Sequence, residues 1–270
     1  MILVNAIQTD TLDVLDRGLA YGDGIFRTLL LRDGKALAWK RQYAKIAADC
    51  LQLGLQAPLQ AALEADLRHI AANTPDCVVK IIVTRGSGSR GYAVAGTQLS
   101  RTITISSPLP AYPPAYVEQG IDARVCDLRL AQQPALAGIK HLNRLENVLA
   151  RSEWNDPQIA EGILLDGADN VIGGTMSNIF IVRNNTLLTP DLSASGIGGV
   201  TRERLLAAAP ALGLKTRIGT FRLADLYAAD AVLVCNSVIG VWQIRALGQR
   251  YWQAHPLTRV LRTRLEQDID

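Results

Sequence analysis

The 270-residue sequence has 28 basic and 25 acidic residues, a net charge of +3, and 49% hydrophobic residues. Its length allows one large or two modest domains, and the absence of any block of like charge argues against binding to nucleic acid or to an anionic membrane. Four widely spaced cysteines without a C-x-x-C pair and only three histidines argue against a disulfide framework and a metal site. We expect a cytoplasmic protein, because the sequence shows no signal peptide and no long apolar segment.

The first hundred residues predict strands, then helices, then strands again. Apolar runs bounded by turn residues predict strands, and alanines and leucines at helical spacing predict helices. The predicted elements are strands at 2–4 and 25–32, helices at 39–55 and 59–73, and strands at 78–85 and 101–105. The glycine-rich segment 16–24 is interpreted either as a loop over a pocket or as a hairpin-like connection.

A Gly/Ser-rich loop follows the strand at 78–85. Arg85, Arg90 and Tyr92 on this loop are suited to meeting an anionic ligand. The alternative is a mobile surface loop, which is common for such a composition.

Four prolines within residues 108–114 exclude a helix or a central strand there. We interpret residues 108–120 as a linker between a smaller N-terminal α/β domain, 1–107, and a larger C-terminal domain, 121–270. The larger domain mixes strands and helices without strict alternation, which predicts an α+β fold.

Lys140 precedes apolar residues at helical spacing, Leu142, Leu145, Val148 and Leu149, which predict a helix with a buried stripe. Gly138 nearby allows a ligand to approach the backbone closely. A lysine at such a helix entrance can lose its proton and form an imine with a carbonyl compound. The alternative is a surface lysine that starts a helix.

Two further segments are suited to a phosphate group. Residues 198–201, Gly-Gly-Val-Thr, precede a predicted helix and offer backbone N–H groups, a hydroxyl and the positive end of the helix dipole. Asn236 and Ser237 follow an apolar strand and offer the same kinds of group. The alternatives are a plain helix cap at Thr201 and an ordinary turn. A reactive lysine and a phosphate cradle are the minimum for pyridoxal 5′-phosphate.

Four motifs carry a resemblance to a known family. The sequence from about Asn5 to about Trp242 resembles the D-amino-acid and branched-chain aminotransferase fold class of pyridoxal-phosphate enzymes, and within it the aminodeoxychorismate lyases. The motifs occur in the same order, at 85–92, 138–149, 175–180 and 199–202. The resemblance implies a two-domain, homodimeric enzyme of fold type IV. It would convert an anionic small molecule, 4-amino-4-deoxychorismate, into 4-aminobenzoate and pyruvate in folate biosynthesis.

The resemblance also implies roles for particular residues. Lys140 would be catalytic and would hold the cofactor covalently. The implied cofactor-binding residues are Lys45, Lys140, Tyr92, Asn178, Gly199, Val200, Thr201, Asn236 and Ser237. The implied substrate-binding residues are Phe26, Arg27 and Arg90.

The sequence departs from the family pattern at three positions. Gly173 replaces an acid that holds the pyridine nitrogen protonated, Lys45 replaces an arginine that binds the phosphate, and Arg27 stands where related transaminases often carry an acid. Two other functions therefore stay open: a D-amino-acid aminotransferase, and a repurposed relative that binds cofactor weakly.

Overall fold

The computed structural model describes residues 1–94 and 99–268. The chain forms two compact units. The first contains Met1–Pro110 together with Lys140–Asn143, and the second contains Ala111–Ile139 and the chain from Arg144 onward. The predicted domain and linker boundaries stay a prediction. Lys140 thus belongs to the same compact unit as the N-terminal sheet, although it lies far along the chain.

The first unit is an antiparallel sheet with helices. The sheet order is β2-β1-β6-β5-β3-β4. Its elements are β1 (Ile2–Val4), β2 (Ile7–Gln8), α1 (Arg17–Tyr21), β3 (Gly24–Arg32), β4 (Lys35–Ala36), α2 (Trp39–Gln52), α3 (Gln60–Asn73), β5 (Cys77–Thr84) and β6 (Arg101–Ser107).

The sequence of β3 explains its position in the middle of this sheet. Successive side chains of a strand point to opposite faces, and Ile25, Leu29 and Leu31 are fully buried on one face. Arg27 lies on that same face, and α2 packs against β3. A charged residue at an apolar position of a buried strand face requires a partner.

The second unit is built on a mixed sheet of order β12-β11-β10-β13-β14-β7-β8-β9, with β15 pairing to β14. Its elements are α4 (Ala115–Glu118), β7 (Ile121–Leu130), α5 (Leu145–Arg151), β8 (Ile159–Asp166), β9 (Val171–Gly174), β10 (Asn178–Arg183), β11 (Thr186–Pro190), α6 (Val200–Ala208), a 3₁₀ turn at Pro210–Leu212, β12 (Lys215–Gly219), α7 (Leu223–Tyr227), β13 (Ala231–Asn236), β14 (Gly240–Leu247), β15 (Arg250–Tyr251) and α8 (Pro256–Gln267).

The α+β prediction is confirmed, because one sheet contains antiparallel pairs such as β10–β13 together with the parallel pairs β7–β8 and β11–β12, so β-α-β units do not run through the whole unit. Within the proline-rich segment, Tyr112 and Tyr116 pack edge-on against Trp242, with ring centroids 4.7 and 5.1 Å away. Sequence patterns missed α4, β9, α7 and α8 in this unit, and β2, β4 and α1 in the first, where α1 lies within the segment predicted to be a glycine-rich loop. None of the helices in the described part of the chain is both long and apolar enough to cross a membrane.

Candidate active site

Lys140 lies in an extended segment that pairs with the start of β3. The Phe26 N–H donates to the Lys140 carbonyl at 2.9 Å, and the Leu142 N–H donates to the Gly24 carbonyl at 3.0 Å. Backbone pairing of this kind satisfies the polar groups of the segment and fixes its path. The Cα atom of Lys140 is therefore held as if it belonged to the sheet of the first unit.

The predicted helix entrance at Lys140 is wrong. Helix α5 begins only at Leu145, because the residues before it use their backbone groups to pair with β3. The predicted buried stripe is also wrong: Leu145, Val148 and Leu149 are 74%, 56% and 60% exposed. The apolar spacing after Lys140 thus marks an exposed helix face.

One face of the sheet carries Lys140 together with an aromatic ring and a second lysine. The Nζ of Lys140 lies 4.6 Å from the centroid of the Phe26 ring, and the Nζ of Lys80 lies 4.8 Å from it. Lys80 pairs directly with Thr28 in the β3–β5 register, which places it on the same face as Phe26. These side chains are half-buried.

The opposite face carries a buried carboxylate, Asp49, with positive partners. Asp49 is paired with Arg27, the two side chains being 1% and 3% exposed, and its Oδ1 lies 3.0 Å from the Nζ of Lys45. Its Oδ2 also accepts a hydrogen bond from the backbone N–H of Lys140 at 3.3 Å. Asp49 thus neutralises charge and helps fix the Lys140 backbone.

This cluster bears on two predicted site residues. Lys45 keeps 19% of its side-chain surface exposed, and its role in binding phosphate stays a prediction. Arg27 donates to Asp49 from within the core, which gives it a structural task in the first unit. Its role in binding the substrate stays a prediction. Sequence reasoning missed Asp49, although an arginine at an apolar position of β3 signals the need for such a partner.

A second carboxylate, Asp23, neutralises two arginines near the glycine-rich segment. Its Oδ2 lies 2.9 Å from the Nε of Arg17 and 2.8 Å from the Nε of Arg85. Burial opposes ionisation, but the hydrogen bonds from Arg85 and Arg17 prevail and hold the pKa of Asp23 below its ordinary value. Arg85 also donates to the Gly54 carbonyl, so it is occupied within the fold.

The loop predicted to meet an anionic ligand lies at the surface. The ring of Tyr92 is 86% exposed and packs edge-on against Tyr21 with a centroid distance of 5.4 Å. The loop is tied down by Arg17, which donates to the Gly91 carbonyl at 2.9 Å. Arg90 is exposed. The roles of Tyr92 at the cofactor and Arg90 at the substrate stay predictions.

In the second unit, Asn178 fixes the glycine-rich loop before α6. Its Nδ2 donates to the Ile197 carbonyl at 2.7 Å, and its Oδ1 accepts from the Gly199 N–H at 3.1 Å. A Cβ atom at position 199 would lie 2.2 Å from that Oδ1. Glycine is therefore required at 199 while Asn178 holds the loop.

The start of α6 has no side-chain cap. Gly199 is the N-cap residue and has no side chain to satisfy the first N–H groups of the helix. Val200 and Thr201 follow in buried positions. Uncapped N–H groups at the positive end of a helix dipole are suited to an anion.

Asn236 shapes the turn after β13. Its Oδ1 accepts from the N–H groups of Val238 and Ile239 at 2.8 and 2.9 Å, and its Nδ2 donates to the Met176 carbonyl at 3.1 Å. The side chain of Asn236 thus orders the turn that contains Ser237. The contact of both residues with a cofactor stays a prediction.

Glu161 is a fully buried carboxylate that sequence reasoning missed. It accepts hydrogen bonds from the Thr175 hydroxyl at 2.5 Å and from the Ser177 hydroxyl at 2.7 Å. Burial raises the pKa of Glu161, and these hydrogen bonds oppose the shift only in part. A Cβ at Gly174 would lie 2.6 Å from this carboxylate. Glu161 therefore orders the segment before Asn178. A carboxylate at the head of the apolar run 162–165 was the available signal.

Gly173 lies on β9, where the family pattern places an acid. A Cβ atom there would lie 2.9 Å from the carbonyl oxygen of Ser177. Contact with a backbone atom is harder to relieve than contact with a flexible side chain, so the local backbone is adapted to glycine.

Comparison with known proteins gives the family. The sequence matches the family model described as amino-transferase class IV over residues 24–247. It is 35% identical to an aminodeoxychorismate lyase of Vibrio harveyi over 247 residues, 89% of each chain. The predicted resemblance is confirmed.

Comparison with solved structures points to the same family. The 4-amino-4-deoxychorismate lyase from Pseudomonas aeruginosa is 44% identical, with a TM-score of 0.95 over 100% of both chains. A hypothetical aminotransferase from Mycobacterium tuberculosis in a PLP-bound form is 21% identical, with a TM-score of 0.86 over 100% of this chain and 98% of that one, and shows the shared fold. The chain belongs to the class IV aminotransferase family.

Proposed function

We propose that the protein is a pyridoxal-phosphate-dependent lyase that converts 4-amino-4-deoxychorismate into 4-aminobenzoate and pyruvate in folate biosynthesis. The observation that carries this proposal is the 44% identity, over the whole length of both chains, to a protein named 4-amino-4-deoxychorismate lyase. The fixed position of Lys140 on the β3 sheet supports it.

Each of the two units offers one of the kinds of group that the cofactor needs. Pyridoxal 5′-phosphate needs an amine for its aldehyde and a cradle for its phosphate. Lys140 supplies the amine, and the uncapped start of α6 at Gly199, Val200 and Thr201 supplies N–H groups for the phosphate. Lys45, Tyr92, Asn178, Asn236 and Ser237 complete the proposed set.

The role of Lys140 follows from its position. When bound, the cofactor withdraws electrons from the carbon that carries the substrate amino group. The Nζ of Lys140 accepts the proton from that carbon, as a general base does. Backbone bonds to β3 and to Asp49 hold the lysine in place for this transfer. Loss of pyruvate then makes the substrate ring aromatic.

Gly173 bears on the choice between lyase and transaminase. Without an acid at this position the cofactor is a weaker electron sink. A reaction helped by aromatisation tolerates a weaker sink better than a reversible amino transfer does. The substitution at Gly173 therefore supports lyase chemistry over transamination.

We further propose a homodimer in the cytoplasm. The exposed apolar residues Leu145, Val148 and Leu149 on α5 support a subunit contact. The four cysteines are free and buried, and burial raises the pKa of Cys50 to about 12. Unpaired, unreactive thiols are typical of a reducing compartment.

The test is production of 4-aminobenzoate and pyruvate from aminodeoxychorismate. We expect turnover with added pyridoxal phosphate, a visible absorption band of the loaded protein, and loss of both in Lys140→Ala, with activity reduced by a factor on the order of 10⁴. Amino transfer from D-alanine to 2-oxoglutarate without 4-aminobenzoate formation would establish the aminotransferase instead. No absorption band with added cofactor would establish the repurposed relative.

A further inference from the structure

Arg17 is a buried arginine on the short helix α1 that has no role in the proposed cofactor and substrate sets. Its side chain is 5% exposed, and burying a guanidinium group is costly unless its N–H groups find acceptors. Nε donates to Asp23 at 2.9 Å, Nη1 donates to the Gly91 carbonyl at 2.9 Å, and Nη2 donates to the Tyr92 carbonyl at 3.3 Å. Two of its three nitrogen atoms thus bind the backbone of the loop that follows β5.

Tyr21, one turn further along α1, binds the same part of the loop. Its hydroxyl accepts a hydrogen bond from the Gly91 N–H at 3.0 Å, and its ring packs edge-on against the ring of Tyr92, with the centroids 5.4 Å apart. The guanidinium group of Arg17 lies over the Tyr21 ring, 4.9 Å from its centroid. The N–H and the carbonyl of Gly91 are therefore both held by α1.

We call these contacts of Arg17 and Tyr21 with Gly91 and Tyr92 the α1 latch. The latch holds a bend that favours glycine, because the φ of Gly91 is +110°. Arg90 directly precedes this bend, and its side chain is exposed. The latch thus fixes the backbone next to Arg90 while the guanidinium group of Arg90 faces the solvent.

Helix α1 is itself anchored to the two strands between which this loop runs. Asp16 caps the helix by accepting a hydrogen bond from the Gly18 N–H at 2.8 Å. Asp16 also accepts from the hydroxyl of Thr84, at the end of β5, at 2.9 Å, and it pairs with Arg101 at the start of β6. A Cβ atom at position 18 would lie 2.4 Å from the Thr84 side chain, so α1 packs closely against β5. The latch therefore ties the loop to the end of the sheet.

We propose that the α1 latch positions Arg90 for the substrate, which makes Arg17 a positioning residue for substrate binding. This inference rests on the proposed function, in which the substrate is an anion, and on the predicted role of Arg90 in binding it. Arg17 acts through the backbone of the loop and does not need to touch the substrate. A loop that is ordered before the substrate binds loses less conformational entropy on binding. Loss of the latch therefore weakens substrate binding more than it slows the chemical step.

The first measurement is the rate at which trypsin cleaves the Arg90–Gly91 peptide bond in the cofactor-loaded protein, followed by mass spectrometry. Trypsin cleaves after arginine, and a folded chain is cleaved where it opens locally. Arg17→Lys keeps the positive charge beside Asp23 but loses the planar fork that reaches two carbonyl groups. Arg41→Lys is the matched control, since Arg41 is exposed on α2.

We expect Arg17→Lys to accelerate this cleavage by about tenfold or more, because one to two hydrogen bonds to the loop are lost. Arg41→Lys should match the wild type. Tyr21→Phe removes the acceptor for the Gly91 N–H and keeps the ring, so a smaller acceleration of about threefold to fivefold is expected. Tyr21→Phe also provides the test of the latch if Arg17→Lys does not fold.

The second measurement connects the latch with the substrate. KM and kcat for 4-aminobenzoate formation from aminodeoxychorismate are measured for Arg17→Lys, for Arg90→Met and for the double variant. We expect Arg17→Lys to raise KM by about fivefold to tenfold and to change kcat by less than about threefold. Because Arg17 acts through Arg90, its effect on KM should largely disappear in the Arg90→Met background. A general loss of folded protein would instead lower kcat, whichever residue is present at position 90.

Three results would overturn the proposal and leave the proposed function standing. Cleavage at Arg90–Gly91 that is as slow in Arg17→Lys and Tyr21→Phe as in the wild type means that the latch does not hold the loop. Faster cleavage with an unchanged KM makes the latch a structural contact only. Effects on KM that add in the double variant mean that Arg17 does not act through Arg90. A wild type that makes no 4-aminobenzoate overturns the proposed function itself and this inference with it.

Discussion

The two faces of β3 carry positive charge in different ways. On one face, Arg27 is 3% exposed and is paired with Asp49, which also binds Lys45. On the other face, Lys80 shares the Phe26 ring with Lys140, and no carboxylate in the described part of the chain pairs with Lys80. Adjacent residues of one strand, Phe26 and Arg27, thus point into environments of opposite character.

The difference separates charges that are paired within the fold from a charge that has no carboxylate partner among the described residues. A buried ion pair is complete without any other molecule, and removing one partner leaves the other stranded in the core. A half-buried cation without a carboxylate partner forms an ion pair only when an anion from outside the chain binds to it. Departures from locally stable pairing are expected at functional sites, and four substitutions test this division in order of decreasing effect.

The first substitution is Asp49→Ala. It removes the buried carboxylate that pairs with Arg27 and the acceptor for the Lys140 N–H. We expect the free energy of unfolding, measured by urea denaturation, to fall by about 3–5 kcal/mol. Asp49→Asn keeps the size and an acceptor oxygen and should cost less. If Asp49→Ala unfolds at the same urea concentration as the wild type, the buried face does not maintain the fold.

Local patterns predicted most of the first unit. An apolar run bounded by turn residues predicted β3, and helical spacing predicted α2 and α3 to within a few residues of their ends. The surroundings of Lys140 were not predictable in this way. Its extended path depends on pairing with β3, more than a hundred residues earlier in the chain, and residues 142–149 imitate the spacing of a buried helix.

Only part of the candidate site was predictable, because some of its residues acquire their partners from distant parts of the chain. Motif resemblance identified Lys140, and the loop before α6 was recognised as a phosphate cradle. Asp49 and Glu161 were missed because each looks like an ordinary polar residue until distant neighbours are known: Arg27 for Asp49, and Thr175 and Ser177 for Glu161.

The second substitution, Gly173→Glu, asks whether a buried strand tolerates a new carboxylate without a partner in the protein. The added Cβ would lie 2.9 Å from the Ser177 carbonyl oxygen, so we expect the free energy of unfolding to fall by about 1–3 kcal/mol. Gly173→Ala carries the Cβ alone and isolates the steric part.

The same variant tests the electron-sink argument. In the loaded enzyme, Gly173→Glu should raise side transamination more than lyase turnover. Equal gains in both activities would contradict the argument that aromatisation makes the lyase tolerant of glycine at this position.

The third substitution, Asp23→Asn, removes the carboxylate that pairs with Arg17 and Arg85. Its effect on the free energy of unfolding is measured as a function of pH. The folded pKa of Asp23 is lowered from 3.8, so its ion pairs with Arg17 and Arg85 stabilise the protein above that pH and the contribution is lost as pH falls below it. We expect the wild type to exceed the variant by about 1 kcal/mol at neutral pH, with the difference shrinking in acid. A difference that stays constant with pH would show that Asp23 acts through packing.

The fourth substitution, Lys80→Met, should change stability least. Because Lys80 pairs with no carboxylate among residues 1–94 and 99–268 and the methionine side chain can pack against Phe26, we expect the free energy of unfolding to stay within about 0.5 kcal/mol of the wild type. The same urea titration that registers the large loss in Asp49→Ala measures it. A loss as large as that of Asp49→Ala would mean that the charges on both faces of β3 stabilise the fold to a similar extent, and the contrast between the two faces would fail.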